Sequence, residues 1–392
     1  MRKLYFASLC CAALSANAQW VEVACPVNAN LWKMGWATED VGYMNTNSAL
    51  LKTVDGGETW TTTSYTGNVD GDFSFPTSSV GYMAGFYDII KKTTDGGNTW
   101  TSVTVNNQAL PVRSVSFVDA NTGWVVGING FIRKTTNGGA SWTVQTASGT
   151  AQFRRVHFVN ANVGTAIGDN GAIRRTTNGG SSWTTIFGAP NTYLNDIFFL
   201  DENIGFIVGG QGTILTTSNG GVNWTTMNSG TTQWLETVCF RNPLEGYVGG
   251  TSGFMMKTTN GGLTWVVENN PFFLSTQSIN DIVWKTDHYL AIGSAGNITR
   301  TGTVGIRTIG TDGIVMELGP NPATTSVMIR VPELADRART VRVFDTGGSL
   351  LHTTTLAGDR DQLDVTGLSD GLYVLEVSVG ASLARMKLVV QR

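Results

Sequence analysis

The chain has 392 residues, of which 14% are charged, against roughly 25% in an average soluble domain. Its 48 glycines and 12 tryptophans favour short strands joined by tight turns and exclude a helical bundle or a disordered chain. The formal net charge of −3 leaves no basic excess to neutralise phosphates, so we expect no nucleic-acid partner.

Residues 1–18 have the features of a secretory signal peptide. Arg2 and Lys3 form a basic start, an apolar stretch follows, and Ala16-Asn17-Ala18 makes a small-residue cleavage site. The apolar stretch is too short to cross a bilayer, and no later segment reaches the roughly 18 apolar residues of a transmembrane helix. We therefore expect cleavage before Gln19, export, and no transmembrane segment.

An eight-residue box, Thr-x-(Asp or Asn)-Gly-Gly-x-(Thr, Ser or Asn)-Trp, recurs six times. The spacings between its final tryptophans are 40, 42, 41, 41 and 41 residues, which is the mark of a repeat architecture. Three alternating apolar stretches precede each box, so every unit predicts four antiparallel strands. The tryptophans that end the boxes are Trp60, Trp100, Trp142, Trp183, Trp224 and Trp265.

A seventh unit, at residues 282–301, supplies three strands but no box. The segment Trp20–Ala24 can supply its fourth strand, and this pairing would close the ring and remove the exposed sheet edges. The sequence therefore predicts an all-β protein with a seven-bladed β-propeller over residues 19–302.

The boxes are interpreted as structural. An Asp or Asn side chain accepts N–H groups across its own turn, and paired glycines adopt positive φ without a clash. Asn in four of the six boxes would make a poor acid or anionic ligand. The three histidines, His157, His288 and His352, are far apart in sequence, so we expect no metal and no cofactor. The turn residues are Asp55, Asp95, Asn137, Asn178, Asn219 and Asn260.

Cys25 and Cys239 fall in different repeats, so we expect two separate thiols.

A Lys or Arg stands before most boxes. We interpret these cations as long side chains whose stems cover apolar blade edges, with a patch for an anionic partner as the alternative. They are Lys52, Lys92, Lys134, Arg175, Lys257 and Arg300, with Thr216 in the place of a cation in the fifth unit.

The repeat resembles Asp-box (BNR-type) propellers. It is similar above all to the propeller family of the photosystem II assembly and stability factor, in which G-(F/W/Y)-x-x-G and TT-(D/N)-GG-x-(T/S)-W segments recur over seven blades. The likeness covers residues 32–301. It implies the fold, but it says little about function, because one scaffold hosts many activities.

Residues 303–313 form a linker, and the 41-residue period stops there. Short alternating strands in residues 314–392 predict a small Ig-like β-sandwich. This segment resembles the type A sorting domain of the type IX secretion system, through the Pro320-Asn321-Pro322 turn and the terminal MKLVVQR. The resemblance implies recognition by the type IX secretion machinery, and export through periplasm and outer membrane to the cell surface or the medium.

The loops that enter the inner strands predict a ligand-recognition face opposite the boxes. Residues three and four positions before the last aromatic of each inner strand form the predicted rim, with basic residues in blades 3 and 4 and acidic ones in blades 5 to 7. The predicted ligand-binding residues are Arg113, Arg154, Arg155, Asp196, Glu236, Asp281 and Trp32; Lys33, Asp72, Asn195 and Asn280 complete the rim.

Three functions remain open. The first is a secreted or surface binding protein whose ligand is an unidentified glycan or protein. The second is a glycoside hydrolase or lyase using carboxylates such as Asp72, Asp196, Glu236 or Asp281. The third is a scaffold like the photosystem assembly factor. The Arg-Ile-Pro signature that accompanies sialidase chemistry is absent, so we assign no catalytic residue.

Overall fold

A computed structural model describes residues 19–66, 71–85, 89–105, 111–146, 149–270, 272, 276–286, 288–302, 308–309, 315–319, 323, 326–330, 339–345, 347–356, 360–379 and 382–390. The predicted signal peptide, most of the predicted linker, and Pro320, Asn321 and Pro322 lie outside these residues. The chain divides into two compact units, of which the larger is Trp20–Arg300 and the other begins at Thr301.

The larger unit is a ring of seven four-stranded antiparallel sheets, the seven-bladed propeller that the sequence predicts. The chain enters through β1 (Gln19–Val23). Six blades then follow, each made of four consecutive strands. Blade 1 is β2 (Met34–Trp36), β3 (Gly42–Asn45), β4 (Ala49–Thr53) and β5 (Thr61–Thr66); blade 2 is β6 (Phe73–Ser74), β7 (Gly81–Met83), β8 (Ile89–Thr93) and β9 (Thr101–Thr104); blade 3 is β10 (Val112–Phe117), β11 (Gly123–Gly127), β12 (Ile132–Thr135) and β13 (Thr143–Val144).

The next three blades follow the same plan. Blade 4 is β14 (Phe153–Phe158), β15 (Gly164–Gly168), β16 (Ile173–Thr176) and β17 (Thr184–Ile186); blade 5 is β18 (Leu194–Phe199), β19 (Gly205–Gly209), β20 (Ile214–Thr217) and β21 (Thr225–Met227); blade 6 is β22 (Leu235–Phe240), β23 (Gly246–Gly250), β24 (Met255–Thr258) and β25 (Val266–Val267). Three-residue 3-10 turns join the second and third strands at Asp169–Gly171, Gly210–Gly212, Thr251–Gly253 and, in blade 7, Ser294–Gly296.

Blade 7 closes the ring. Its own strands are β26 (Ile279–Trp284), β27 (Tyr289–Gly293) and β28 (Ile298–Gly302), and β1 pairs with β28 as the fourth strand. Trp20 on β1 is 3% exposed, and its ring meets Tyr247 of blade 6 edge-on with centroids 5.3 Å apart. The first strand of the chain thus joins the last blade to its neighbour.

The boxes form compact turns, with Asp and Asn playing the same part. Asp95 Oδ1 accepts from the Thr99 amide at 2.9 Å, and Asn137 Oδ1 accepts from the Ser141 amide at 2.9 Å. The second glycine of the box adopts a left-handed conformation, with φ +90° at Gly97. A Cβ at Gly97 would also collide with the ring of Tyr43 from the preceding blade.

Aromatic rings join adjacent blades. The box tryptophan packs edge-on against the last aromatic of its own inner strand, as Trp142 does against Phe117 at 6.2 Å. The ring on the second strand stacks on the inner strand of the next blade. Tyr82 stacks on Phe117 and Trp124 on Phe158, each with centroids 3.5 Å apart. The contact between blades is therefore made by the second-strand ring as well as by the box.

The cations before the boxes reach towards the next blade. Lys92 lies over the ring of Tyr82 and its Nζ donates to the Gly138 carbonyl at 2.8 Å. Arg175 Nε donates to the Gly220 carbonyl at 2.7 Å. In both cases the acceptor belongs to the box of the following blade. These bonds support the structural interpretation of the cations.

The unit that begins at Thr301 contains two four-stranded antiparallel sheets. Its strands are β29 (Thr308–Ile309), β30 (Val315–Gly319), β31 (Ser326–Arg330), β32 (Arg339–Phe344), β33 (Leu350–Leu356), β34 (Arg360–Asp364), β35 (Gly371–Val379) and β36 (Ser382–Val390). The sheet orders are β29-β30-β31-β34 and β33-β32-β35-β36. Val327 and Ile329 of the first sheet share a buried cluster with Val341 and Leu375 of the second. The Ig-like assignment stays a prediction.

Candidate functional site

A β-bulge at the start of the inner strands sets the direction of the side chains at the channel mouth. Successive inner strands contact one another around the axis of the ring. In blades 3 to 7 the register of the inner strand shifts between its first and third residues. A bulge leaves its extra residue out of the ladder and re-aims that side chain. The second and third residues of these inner strands therefore have different roles.

The second residues surround a cavity of about 530 Å³. In blades 1 and 2 the same place, four residues before the last aromatic, is taken by a tryptophan and a glycine. The cavity opens opposite the boxes, because inner strands begin at the end of the blade away from the box. The residues at this position that line the cavity are Trp32, Gly71, Arg113, Arg154, Asn195, Glu236 and Asn280.

The third residues, together with the residues at the same place in blades 1 and 2, form what we call the polar belt, which connects the inner strands. Ser114 Oγ accepts from the Val156 amide at 3.1 Å, and Asp196 Oδ2 from the Val238 amide at 3.1 Å. Each bond joins one blade to the next, so the belt holds the ring together beneath the cavity. Its members are Lys33, Asp72, Ser114, Arg155, Asp196, Thr237 and Asp281.

Arg155 is the central member of the polar belt. Its Nη1 lies 2.7 Å from Asp72 Oδ2 of blade 2, and its Nε lies 3.2 Å from Asp196 Oδ1 of blade 5. Burial lowers the pKa of this guanidinium, but the nearby carboxylates of Asp72, Asp196 and Asp281 outweigh burial and raise it. Arg155 therefore stays charged and links three blades across the floor of the cavity.

A second ion pair continues the belt into blade 1. Lys33 Nζ lies 3.0 Å from Asp281 Oδ1, and Asp281 Oδ2 accepts from the Met34 amide at 2.9 Å. Burial raises the pKa of Asp281 although Lys33 opposes this. Both carboxylate oxygens are thus engaged in joining blades 7 and 1.

One half of the cavity is positive. Arg154 pairs with Asp169, and its guanidinium carbon lies 4.6 Å from the centre of the Tyr193 ring. Arg113 Nη1 is buried, and no residue in the described part of the chain accepts a hydrogen bond from it. Burial, and then repulsion by Arg154, lower the pKa of Arg113. This half therefore offers a donor that the protein itself does not use.

The opposite half offers acceptors. Asn195 is 8% exposed, and its Nδ2 donates to the Leu235 carbonyl at 2.9 Å. Its Oδ1 is buried and receives no hydrogen bond from any described residue. Burial raises the pKa of the adjacent Glu236 carboxyl, although Lys33 and Arg154 act against this rise. A ligand that donates hydrogen bonds would suit this half.

The structure divides the predicted ligand-binding residues into two groups. Arg113, Arg154 and Glu236 line the cavity at second positions, and Trp32 lines it at the same place in blade 1. Arg155 also reaches the cavity, but as part of the belt, where it forms an ion pair with Asp196, while Asp281 forms one with Lys33. We therefore assign Arg155, Asp196 and Asp281 to the floor that supports the site.

Two half-exposed aromatic residues precede the predicted rim positions and were not among the predicted ligand-binding residues. Tyr193 and Trp234 stand immediately before the inner strands of blades 5 and 6, and each is 39% exposed. Their rings lie 5.2 Å apart at an angle of 37°. The available signal is an aromatic residue directly before a predicted inner strand, two positions before the first predicted rim residue of the blade.

Among the described residues, no group of three or more His, Cys, Asp and Glu side chains is placed to hold a metal ion. Cys25 and Cys239 are free thiols, and burial raises the pKa of Cys239. Nor does any helix among the described residues have the length and apolarity to span a membrane.

Six boxes, seven blades and a ring closed by the first strand define an Asp-box β-propeller. Residues 12–114, 109–190 and 189–270 match the family of the photosynthesis system II assembly factor YCF48. These matches span more than half of the chain, and the protein therefore belongs to this family. No curated protein sequence matches the chain.

Solved propellers agree in fold. The structure of YCF48 bound to D1 peptide is 19% identical, with a TM-score of 0.63 over 74% of this chain and 96% of that one. YCF48 from Cyanidioschyzon merolae is 18% identical, with a TM-score of 0.61 over 72% and 98%. Virginiamycin B lyase from Staphylococcus aureus is 11% identical, with a TM-score of 0.62 over 72% and 98%. At these identities the likeness concerns the fold alone.

The C-terminal segment has its own family. Residues 318–391 match a secretion system C-terminal sorting domain. This domain indicates export by the type IX system to the cell surface or the extracellular space, and it implies the type IX machinery as a partner. The chain thus combines a propeller of the YCF48 type with a sorting domain that indicates export.

Proposed function

We propose that this protein is a secreted or surface-attached binding protein whose channel-mouth cavity holds a carboxylate-bearing ligand. The carrying observation is Arg113, whose buried Nη1 has no acceptor among the described residues in a cavity shared with Arg154. A buried donor without a partner costs about 1–3 kcal/mol. A carboxylate would remove this cost, because guanidinium groups bind carboxylates with charge-assisted hydrogen bonds.

The carboxylates of the site support binding over hydrolysis. Glycoside hydrolysis needs two carboxyl groups placed on either side of the bond that breaks. Asp72, Asp196 and Asp281 are engaged in the polar belt. Glu236 lines the cavity without a second carboxyl group of comparable freedom among the described cavity residues. The hydrolase or lyase hypothesis therefore has the weaker support.

The family relationship supports a ligand-holding role in general terms. The propeller YCF48 has been solved bound to D1 peptide, so that propeller holds a partner. Export through the type IX system would place the present propeller outside the cell. We therefore propose recognition of an extracellular ligand, in preference to assembly of an intracellular complex.

The binding role is tested on the full exported protein. Binding to an array of acidic and neutral glycans and to a library of acidic peptides is measured for the wild type, Arg113→Gln and Lys92→Ala. We expect a carboxylate-bearing ligand to bind the wild type and to lose about tenfold or more in affinity with Arg113→Gln. Lys92 lies on the box side, so Lys92→Ala is the matched control. Binding that depends on Lys92 and not on Arg113 would overturn the proposal.

The export role is tested by removing residues 318–391. We expect the truncated protein to accumulate in the periplasm, because the propeller would lack its sorting domain. Immunoblots of periplasm, outer membrane and medium measure this distribution. Normal levels at the surface or in the medium would contradict the role of the tail.

A further inference from the structure

Two side chains of opposite charge line the channel-mouth cavity without pairing with each other. Arg154 and Glu236, at the second positions of blades 4 and 6, both belong to its wall. Burial raises the pKa of Glu236, and Lys33 and then Arg154 act against this rise, so the Arg154 guanidinium is near enough to influence the carboxyl group. Among the described residues, Arg154 forms its ion pair with Asp169, and Glu236 forms none. The cavity therefore presents a cation and an anion that are separate from one another.

Arg154 keeps hydrogen-bond donors that the described residues do not use. Its Nε donates to Asp169, and its guanidinium carbon lies 4.6 Å from the centre of the Tyr193 ring. These two contacts hold the guanidinium in place, while Nη1 and Nη2 donate to no described residue. The side chain is 34% exposed and lines the cavity, so a ligand can reach these donors.

Glu236 has the complementary property. Its side chain is half-buried, and neither a backbone nor a side-chain hydrogen bond from a described residue stabilises its charged form. Burial without a hydrogen-bonded partner disfavours a carboxylate, and a cation placed in contact with it offsets that cost. Glu236 is therefore suited to an ammonium group supplied by a ligand.

The charges around the cavity nearly balance. In the polar belt the carboxylates outnumber the cations, because the guanidinium of Arg155 is shared by two of them. Arg154 is balanced by Asp169, and Arg113 and Glu236 add one charge of each sign. The cavity therefore has no excess of positive charge to attract a polyanion. It suits a ligand that is neutral as a whole and carries both charges.

We propose that the cavity binds a small zwitterion of the amino acid class, whose carboxylate pairs with Arg154 and whose ammonium group pairs with Glu236. Asn195 of blade 5 stands between these two residues on the cavity wall, so a ligand that reaches both carries its charges several bonds apart. The cavity volume of about 530 Å³ lies in the range of small-molecule sites, roughly 300–1,000 Å³. This inference rests on the proposed function, since it names the chemical class of the carboxylate-bearing ligand.

The ammonium group would give the site its selectivity. A ligand with a carboxylate alone would displace water from the cavity and leave Glu236 without a cationic partner. A site built to pair with a polar group discriminates against the analogue that lacks it, because its own group is then left unpaired. A zwitterion should therefore bind more tightly than the corresponding simple acid.

The test uses the full-length protein and titration calorimetry with small probes of matched length. They are 6-aminohexanoate, its isomer 2-aminohexanoate, hexanoate, which lacks the ammonium group, and hexylamine, which lacks the carboxylate. We expect 6-aminohexanoate to bind about tenfold or more tightly than each of the others, because it alone pairs with Arg154 and Glu236 together.

The outcomes separate this inference from the proposed function. If hexanoate or 2-aminohexanoate binds as tightly as 6-aminohexanoate, the inference is overturned and a carboxylate-binding cavity still stands. Absence of binding by all of the probes overturns the inference alone where the arrays yield a carboxylate-bearing ligand that depends on Arg113, and both proposals where they do not. Binding of hexylamine in preference to every acid overturns both.

Variants at Glu236 separate charge pairing from folding. Glu236→Gln should bring 6-aminohexanoate to the affinity of hexanoate, a loss of about tenfold, and Glu236→Asp should restore part of the difference. Glu202→Gln is the matched control, because Glu202 is exposed, accepts from Asn160 Nδ2 at 2.9 Å and does not line the cavity. Equal losses with Glu202→Gln and Glu236→Gln, or an unchanged preference for 6-aminohexanoate in Glu236→Gln, would contradict the pairing of the ammonium group with Glu236 and overturn the inference.

Discussion

Arg155 and Asp72 are joined across blades 4 and 2 by an ion pair of 2.7 Å at the floor of the channel-mouth cavity. The same guanidinium reaches Asp196 of blade 5, and Asp72 also accepts from the Ser114 hydroxyl of blade 3 at 2.7 Å. Four of the seven inner strands therefore meet at one buried charge cluster. The cluster fixes where the inner strands begin, and hence where the cavity side chains stand.

We expect Arg155→Ala to lower the free energy of unfolding by about 3–5 kcal/mol, because it would leave Asp72 and Asp196 buried without their partner. Denaturant titration measures the change. Arg154→Ala is the control, since Arg154 is more exposed and its loss should cost roughly 1 kcal/mol or less. An Arg155→Ala protein with the wild-type midpoint would show that the cluster does not stabilise the ring.

A second prediction concerns closure of the ring by β1. Trp20→Ala should lower the free energy of unfolding by about 3–5 kcal/mol, because it empties a buried aromatic site between blades 6 and 7. Val21 on the same strand is 38% exposed, so Val21→Ala should change stability by about 0.5 kcal/mol or less. Thermal unfolding of the two variants compares them. Equal shifts in melting temperature would contradict a closing role for Trp20.

The repeat was predictable because its cause is local. Positive φ at the paired glycines, an Asx turn and a tryptophan packed on the inner strand all act within eight residues of the box, so they leave the same pattern six times. The ring closure was predictable for a related reason, since a seventh unit without a box required a strand that Trp20–Ala24 could supply.

The candidate site was predictable in its location but not in its side-chain directions. Sequence spacing selected both Arg154 and Arg155, yet a bulge at β14 sends one to the cavity and the other to the floor. A bulge depends on pairing with the neighbouring strand, so the spacing of Arg154 and Arg155 along the sequence does not reveal it. The partners of Arg155 lie 83 residues before it and 41 after it in sequence, so no local pattern could reveal them.

A third prediction concerns acid stability of the boxes. Hydrogen bonds from Thr99, and then from Thr93, lower the pKa of Asp95 to about 2, whereas an unfolded Asp has a pKa of about 3.9. A lowered native pKa means that the stabilisation is present above the unfolded value and is lost as pH falls from about 4 towards 2. Asp95→Asn should therefore lose less stability over this range than the wild type.

Melting temperature measured between pH 6 and pH 2 tests this prediction. Asn137→Asp is the reverse control, because Asn137 makes the same turn contacts with Thr135 and Ser141. It should add acid sensitivity to blade 3. If Asp95→Asn and the wild type lost stability in parallel, the box carboxylate would not be a source of acid unfolding.

The last prediction concerns the missing cation of blade 5. Lys92 pairs in register with Tyr82 on the adjacent strand and reaches a box carbonyl of the next blade. Thr216 pairs in the same way with Phe206, but its short side chain donates within its own blade, to the Gly205 carbonyl. Thr216→Lys would place an aliphatic side chain over the Phe206 ring and direct an ammonium group, as a hydrogen-bond donor, towards the box of blade 6. We expect a gain of about 0.5–1 kcal/mol, from the cation–π contact and one new hydrogen bond. Thr226→Lys, at an exposed position on β21, is the matched control for added charge and should leave the melting temperature nearly unchanged. Equal effects of the two substitutions would show that the cations before the boxes do not join the blades.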